Sequence, residues 1–311
     1  MSGNRWQLLA GVAGILGLLL APTFLESFWV FFLAEILLFI LFAQSFNLLF
    51  GYTGLLSLGQ SVYFTVGAYT VALLIRQWKP GVGLLLPAGV LTGMVSAALV
   101  GSLAVRVRGH GFIIITAVPT VVLVLLGQDQ SAWTGGDNGL NIIPPKLLGQ
   151  YSFFDPTVSY YAVLPCFLAT MFFLRWLLAT PLGQAFLLVR ENEARAAVLG
   201  YDTLRLKFVA FVIAGGIAGL AGALDALVTA YVIPSSASWT VAADAIIWTL
   251  VGGAGTLLGP AVGTGVLLFA REFLSDIWAH GYPLLLGLVL IGVVLFAPQG
   301  VVGALRKRMG G

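Results

Sequence analysis

The feature that most constrains this chain is where charge is missing. No Asp, Glu, Lys or Arg occurs from Ile36 to Ile75, from Gly81 to Val105, or from Ile277 to Leu305. A helix needs about 20 mostly apolar residues to cross a bilayer, so each run holds at least one crossing. Charged residues make up 9% of the 311, far below the roughly 25% of a soluble domain. The expected fold is an all-α polytopic membrane protein with residues 1–311 in a single transmembrane domain.

Hydropathy places about ten crossings, near 8–25, 28–49, 60–75, 83–105, 111–127, 159–178, 208–231, 239–254, 260–278 and 283–298. The eighth is short and carries Asp244. Leu8–Ala21 follows Arg5 in the manner of a signal sequence, but "LAPTFLES" offers no small-residue cleavage site, and it reads as a retained first span. With the N-terminus inside, the cytoplasmic side receives Arg5, Arg106, Arg108, Arg175, Arg190, Arg195, Arg205, Lys207, Arg306, Lys307 and Arg308. The outer side receives only Arg76, Lys79 and Lys146, and the positive-inside rule therefore sets both termini in the cytoplasm. The same rule accounts for the basic balance of +3 without nucleic acid. The lone Cys166 excludes an intrachain disulfide. His110 and His280 lack metal-site company, and no cofactor or metal is expected.

Two loops are long: an outer one from 128 to 158, and an inner one from 180 to 207. The inner loop contains "LLVRENEARAAVLGYDTLRLKF", in which seven of 22 positions are charged. Seven charges at mid-bilayer would cost roughly 17 kcal/mol, so this stretch lies outside the membrane. It reads as one amphipathic helix over 184–200, started by Thr180–Pro181 and stopped by Gly200, with Asp202 or Thr203 capping the next span. Leu187, Ala194, Ala197 and Val198 share a face, and Glu191 precedes Arg195 by four, the favourable order for an ion pair. A solvated loop would explain the Lys and Arg. The acidic residues favour a docking element for a cytoplasmic partner.

Glycine-rich segments flank the spans. "GYTGLLSLGQ" carries Gly51, Gly54 and Gly59, and "GGAGTLLGPAVGTG" carries Gly252, Gly253, Gly255 and Pro260. Two readings stand: tight small-residue packing, as at Gly215/Gly219 and Gly259/Gly263, or broken helices beside a translocation path. Pro119 and Pro165 fall inside spans and are expected to kink them. Glu35, Asp225, Asp244, Arg271, Glu272 and Asp276 are costly in lipid and face protein or water. They form fixed interhelical ion pairs, or Glu35 and Arg271 briefly partner a zwitterionic substrate. In the outer loop, "WTGGDNGL" combines Trp133, Gly135, Gly136 and Asp137 either as an ordered interfacial turn or as a receiving surface for an external protein.

Taken together, residues 180–224, 51–74, 133–140, 251–268 and 295–303 resemble the permeases of bacterial ABC importers for branched-chain amino acids, the LivM type. The resemblance covers about residues 30–303. It implies an inner-membrane importer subunit working with a second permease of LivH type, two cytoplasmic ATPases, an external solute-binding protein and an amino-acid substrate. It also implies that Arg190, Glu191, Glu193, Ala194, Arg195 and Gly200 contact the ATPase, although Arg195 stands where such loops usually have a second small residue. Urea or short-amide permeases are close relatives in this resemblance. From the residues alone, an ion-coupled secondary transporter and a structural membrane subunit also remain open. No G-x-x-x-x-G-K-[ST] motif occurs, so the chain builds no P-loop for ATP. It also shows no catalytic constellation.

Overall fold

The long apolar runs become helices whose ends are set by local signals. The structure, a computed structural model, describes residues 16–277 apart from Lys79, Arg108 and Leu148, together with glycines 14, 287, 292, 300 and 303. Its main helices are α1 (Ser27–Thr53), α2 (Gln60–Trp78), α3 (Val82–Ala104), α4 (His110–Asp129), α5 (Pro156–Ala179), α6 (Pro181–Glu191), α7 (Glu193–Val198), α8 (Thr203–Thr229), α9 (Trp239–Gly252) and α10 (Gly259–Ile277). Residues 16–24 are helical and are tied to α5 by the Tyr160 and Tyr161 hydroxyls, which donate to Leu18 O and Leu19 O. The tenth expected span, His280 and the Asp276 side chain lie outside the described residues.

Among the described residues, α1, α3, α4, α5 and α8 are long and apolar enough to cross a membrane. Helix α9 is apolar but has only 14 residues, about 21 Å at 1.5 Å per residue. That falls short of a hydrocarbon layer about 30 Å thick. The expected eighth span is therefore a short helix that turns back, through Gly253–Leu258, into α10.

Helices α1 and α8 form the centre: 61% and 78% of their most apolar stretches are buried, against 22% for α3 and α4. The outer faces of α3 and α4 present Leu91, Leu99, Leu103, Ile114, Val118 and Leu125 outward, as lipid contact requires. Small residues let the central helices close up. A Cβ on Gly67 of α2 would lie 2.7 Å from Gly219 Cα of α8, and one on Gly93 of α3 would lie 2.8 Å from the same atom. The expected packing through Gly215 and Gly219 is thus present. Helices α4 and α5 run on through Pro119 and Pro165.

The helix ends sort into two sets. At one end lie the end of α1, the starts of α4 and α8, and α6–α7. At the other, a two-residue antiparallel pair joins Leu140–Asn141 (β1) to Tyr231–Val232 (β2). Arg76 and Tyr69 of α2 also donate there, to Ala132 O and Thr134 O of the 128–158 loop.

Candidate functional site

The charged segment from 180 to 207 is built from caps. Thr180 Oγ1 accepts from Gly183 N at 3.4 Å with Pro181 in the first turn, and Asp202 Oδ1 accepts from Arg205 N at 3.1 Å. Gly200, at φ +90°, supplies the left-handed stop. One expectation fails: the segment is two helices rather than one. Asn192 is extended (φ −162°, ψ 103°), and its Oδ1 caps α7 by accepting from Arg195 N at 2.9 Å. A capping Asn ends one helix and starts the next, at a stability contribution of about 1 kcal/mol. Glu191 and Arg195 consequently sit on different helices, so their i,i+4 register is lost.

The buried face also differs from the expected one. Gly183, Ala185, Phe186, Val189 and Ala196 are buried, while Ala194, Ala197 and Val198 are exposed, Val198 at 88%. The break at Asn192 rotates α7 so that its apolar edge points away from the bundle. Glu193 turns inward instead. It pairs with the buried Lys207 of α8 at 2.5 Å and accepts from Thr203 Oγ1 at 3.4 Å.

Arg190 carries the link to the glycine segments. Its guanidinium donates to Gly51 O in the last turn of α1. Its stem lies over Gly54, where a Cβ would stand 3.5 Å from Arg190 Cγ. A Cβ on Gly255 would meet the guanidinium itself. Gly51, Gly54, Gly255 and Arg190 thus share one locus, although 139 residues separate Gly51 from Arg190.

The break at Gly253–Leu258 exposes backbone groups that lipid cannot satisfy. Two buried amides of α1 take them. Asn47 accepts from Gly255 N at 2.9 Å and donates to Thr256 O at 3.0 Å; Gln44 donates to Leu257 O at 2.6 Å. Gly253 (φ 121°) and Gly255 (φ 79°) adopt backbone that other residues resist. Gly252 packs on Gly263, where a Cβ would lie 2.7 Å from Gly252 N, and Gly300 lies against Gly252 and Gly253. Pro260 opens α10. The glycine segments therefore show both close packing and broken helix. Beside this locus, a cleft of about 480 Å³ is lined by Gly54, Leu56, His110, Ile113, Glu193 and Lys207, among others.

The remaining candidates lie elsewhere. Gly59 precedes α2 and packs against Thr116 of α4. Glu35 on α1 and Arg271 on α10 form no ion pair within 4 Å with any described residue, although the charge of Arg271 acts on both Glu35 and Asp244. The fixed interhelical ion pairs expected there are absent among the described residues. In the 128–158 loop, Gly135 (φ 80°) and Gly136 (φ 61°) make an ordered turn. Asp137 accepts from Gln128 Nε2 at 2.7 Å, and Trp133 is exposed. Sequence reasoning missed Asn47, Gln44 and Lys207. The visible signal was a pair of amides within an otherwise apolar run.

A bundle of apolar helices, interrupted at buried glycines and carrying a charged two-helix element at one end, defines a multi-pass membrane permease. The family model described as "Branched-chain amino acid transport system / permease component" matches residues 28–297, and the chain belongs to that family. The chain is 29% identical to the high-affinity branched-chain amino acid transport system permease protein LivM of Salmonella typhimurium, over 88% of this chain and 69% of that protein. It is 28% identical to the protein of the same name from Escherichia coli, again over 88% and 69%. A probable LivM of Methanocaldococcus jannaschii is 28% identical over 44% of this chain and 43% of its own length. No solved structure matches.

Proposed function

We propose that the chain is one of two permease subunits of an ABC importer that carries branched-chain amino acids inward across the cytoplasmic membrane. Helices α6 and α7 face the cytoplasm and receive the ATPase subunits. The acidic and basic side chains Glu191, Ala194-flanking Arg195 and the exposed edge at Val198 and Leu199 form the contact. An external binding protein delivers the amino acid to the opposite face, where Trp133, Asp137 and the turn at Gly135–Gly136 contribute to its seat. The observation that carries this reading is the contact of Arg190 with Gly51 and Gly255. It connects an exposed charged element directly to the broken backbone of two membrane segments, as a transporter driven by an outside motor requires. Motion of α6–α7 then reaches the interior without passing through flexible chain, and packed interfaces of small residues allow helices to slide.

The experiment is purification of the tagged full chain from its host membrane, followed by reconstitution into vesicles. The expected result is co-purification with ATPase subunits and uptake of labelled leucine that needs ATP and the external binding protein. Uptake driven by an ion gradient with no ATPase bound would overturn it, and uptake of urea but not leucine would move the substrate assignment.

A further inference from the structure

Helix α2 begins well inside the bundle rather than at its end. Ser45 Oγ donates to Gln60 Oε1 at 3.2 Å, and Ser45 lies eight residues before the end of α1, about 12 Å along the helix axis. Leu58 N donates to Thr116 Oγ1 at 3.2 Å, and Thr116 lies six residues into α4, about 9 Å from its start. Both distances run from the same end of the bundle. The first turn of α2 therefore sits about 9–12 Å in from that end, a depth of about a third of a hydrocarbon layer about 30 Å thick.

That turn is rich in buried polar groups, most of them paired and two of them not. Ser45, Ser57, Gln60, Ser61, Tyr63 and Thr116 are all 0% exposed. Gln60 Nε2 and the Tyr63 hydroxyl have no hydrogen-bond partner among the described residues. Within the first turn, the Gln60 and Ser61 N–H groups have no backbone acceptor among the described residues. The Tyr63 hydroxyl is aimed at the start of the helix: a Cβ on Gly59 would lie 3.2 Å from it and 3.6 Å from Ser57 Oγ. Its ring is held edge-on against Phe211 of α8, with centroids 5.7 Å apart. Unpaired donors in a dry interior are costly, and a buried orphan group in a native fold calls for an explanation. The unpaired groups here are predominantly donors, they are neutral, and they surround the positive end of a 19-residue helix. That combination suits an anion small enough to enter between helices.

We propose that the buried first turn of α2, with Gln60 Nε2 and the Tyr63 hydroxyl, receives the carboxylate of the substrate during its passage. This deepens the functional reading above and rests on it. The site is closed in this state. The irregular segment from 54 to 59 leads into it, and can part from Thr116 without unwinding a helix. A helix terminus neutralises the carboxylate without a cation, so the substrate is held briefly and released.

The test uses the reconstituted complex with its ATPases and binding protein. Tyr63→Phe keeps the ring packed on Phe211 and removes one donor, and Gln60→Leu removes the other. A hydrogen bond to a charged group supports an expectation of about a tenfold fall in leucine moved per ATP hydrolysed. ATP hydrolysis stimulated by the loaded binding protein should stay within about twofold of wild type. Unchanged leucine per ATP in both variants would overturn the proposal while leaving the importer reading intact. A wild-type complex that hydrolyses ATP but moves no leucine would instead sink the importer reading. If neither variant assembles, diazirine-bearing leucine photolysed in the wild-type complex during turnover decides the matter. Adducts in 57–66 or 112–120 support the site, and adducts confined to other helices refute it.

Discussion

Replacing Arg190 with Met tests the mechanical link between α6 and the glycine breaks. Methionine keeps much of the stem that lies over Gly54 and removes the donor to Gly51 O. A charge-assisted hydrogen bond contributes about 1.5–3 kcal/mol net. The side chain is exposed although its contact with Gly51 O is partly buried, and solvent screening keeps the expected loss at the lower end, about 1.5 kcal/mol. If that energy couples α6 to the end of α1, its loss corresponds to about a tenfold drop in coupled transport rate. In reconstituted vesicles, leucine uptake should fall by about that factor while stimulated ATP hydrolysis continues. Arg190→Lys, which offers a donor but not the fork, should be intermediate. Gly255→Ala approaches the same locus from the other side. It forces a side chain into φ +79° backbone and into the guanidinium, so its uptake should fall at least as far. Wild-type uptake per ATP in both Arg190→Met and Gly255→Ala would refute the idea that this contact transmits motion.

Three further outcomes are expected. Asn47→Leu removes the partners of Gly255 N and Thr256 O within the bundle, and should cost about 2–4 kcal/mol, read as a lower thermal unfolding midpoint of the purified protein. Glu193→Gln leaves the Lys207 ammonium buried without its 2.5 Å carboxylate and should destabilise by about 2 kcal/mol; adding Lys207→Met should recover part of that loss in the same melting assay. Gly219→Val forces α8 away from α2 and α3, and its yield of folded protein in membranes should fall sharply against a Gly265→Val control, where a Cβ meets nothing within 4 Å.

Much of this architecture was legible in the chain because membrane insertion punishes charge and unpaired backbone. The charge-free runs marked the long helices, and Thr180–Pro181, Gly200 and Asp202 marked local starts and stops with known geometry. The break at Asn192 had a readable cause as well, since Asn is a strong N-cap. The favourable Glu191–Arg195 spacing argued the other way, and a cap with buried neighbours outweighs a surface ion pair worth a few tenths of a kcal/mol. What the chain did not reveal was convergence. Nothing local in "GYTG" or "GGAGT" indicates that Arg190 will lie between them, or that Asn47 will bridge the second. Those contacts depend on how α1, α6 and α9 pack, and packing is a property of three distant segments at once. The short reach of α9 was partly visible, since its apolar run is short and carries Asp244; what the chain did not show is how Gly253 and Gly255, with their positive φ, turn it back.

Helix α8 is fastened at both ends. Near one end Lys207 holds Glu193 of α7, and at the other Ala230 O accepts from Ile142 N beside the paired strands β1 and β2. The helix as a whole is 27 residues long, about 40 Å of stiff rod. Such a rod behaves as a lever with its fulcrum at the glycine contacts with α2 and α3. A small tilt imposed at the Glu193 end must swing the opposite end the other way, carrying the 128–158 loop with it, so that the two ends of the bundle cannot rearrange independently.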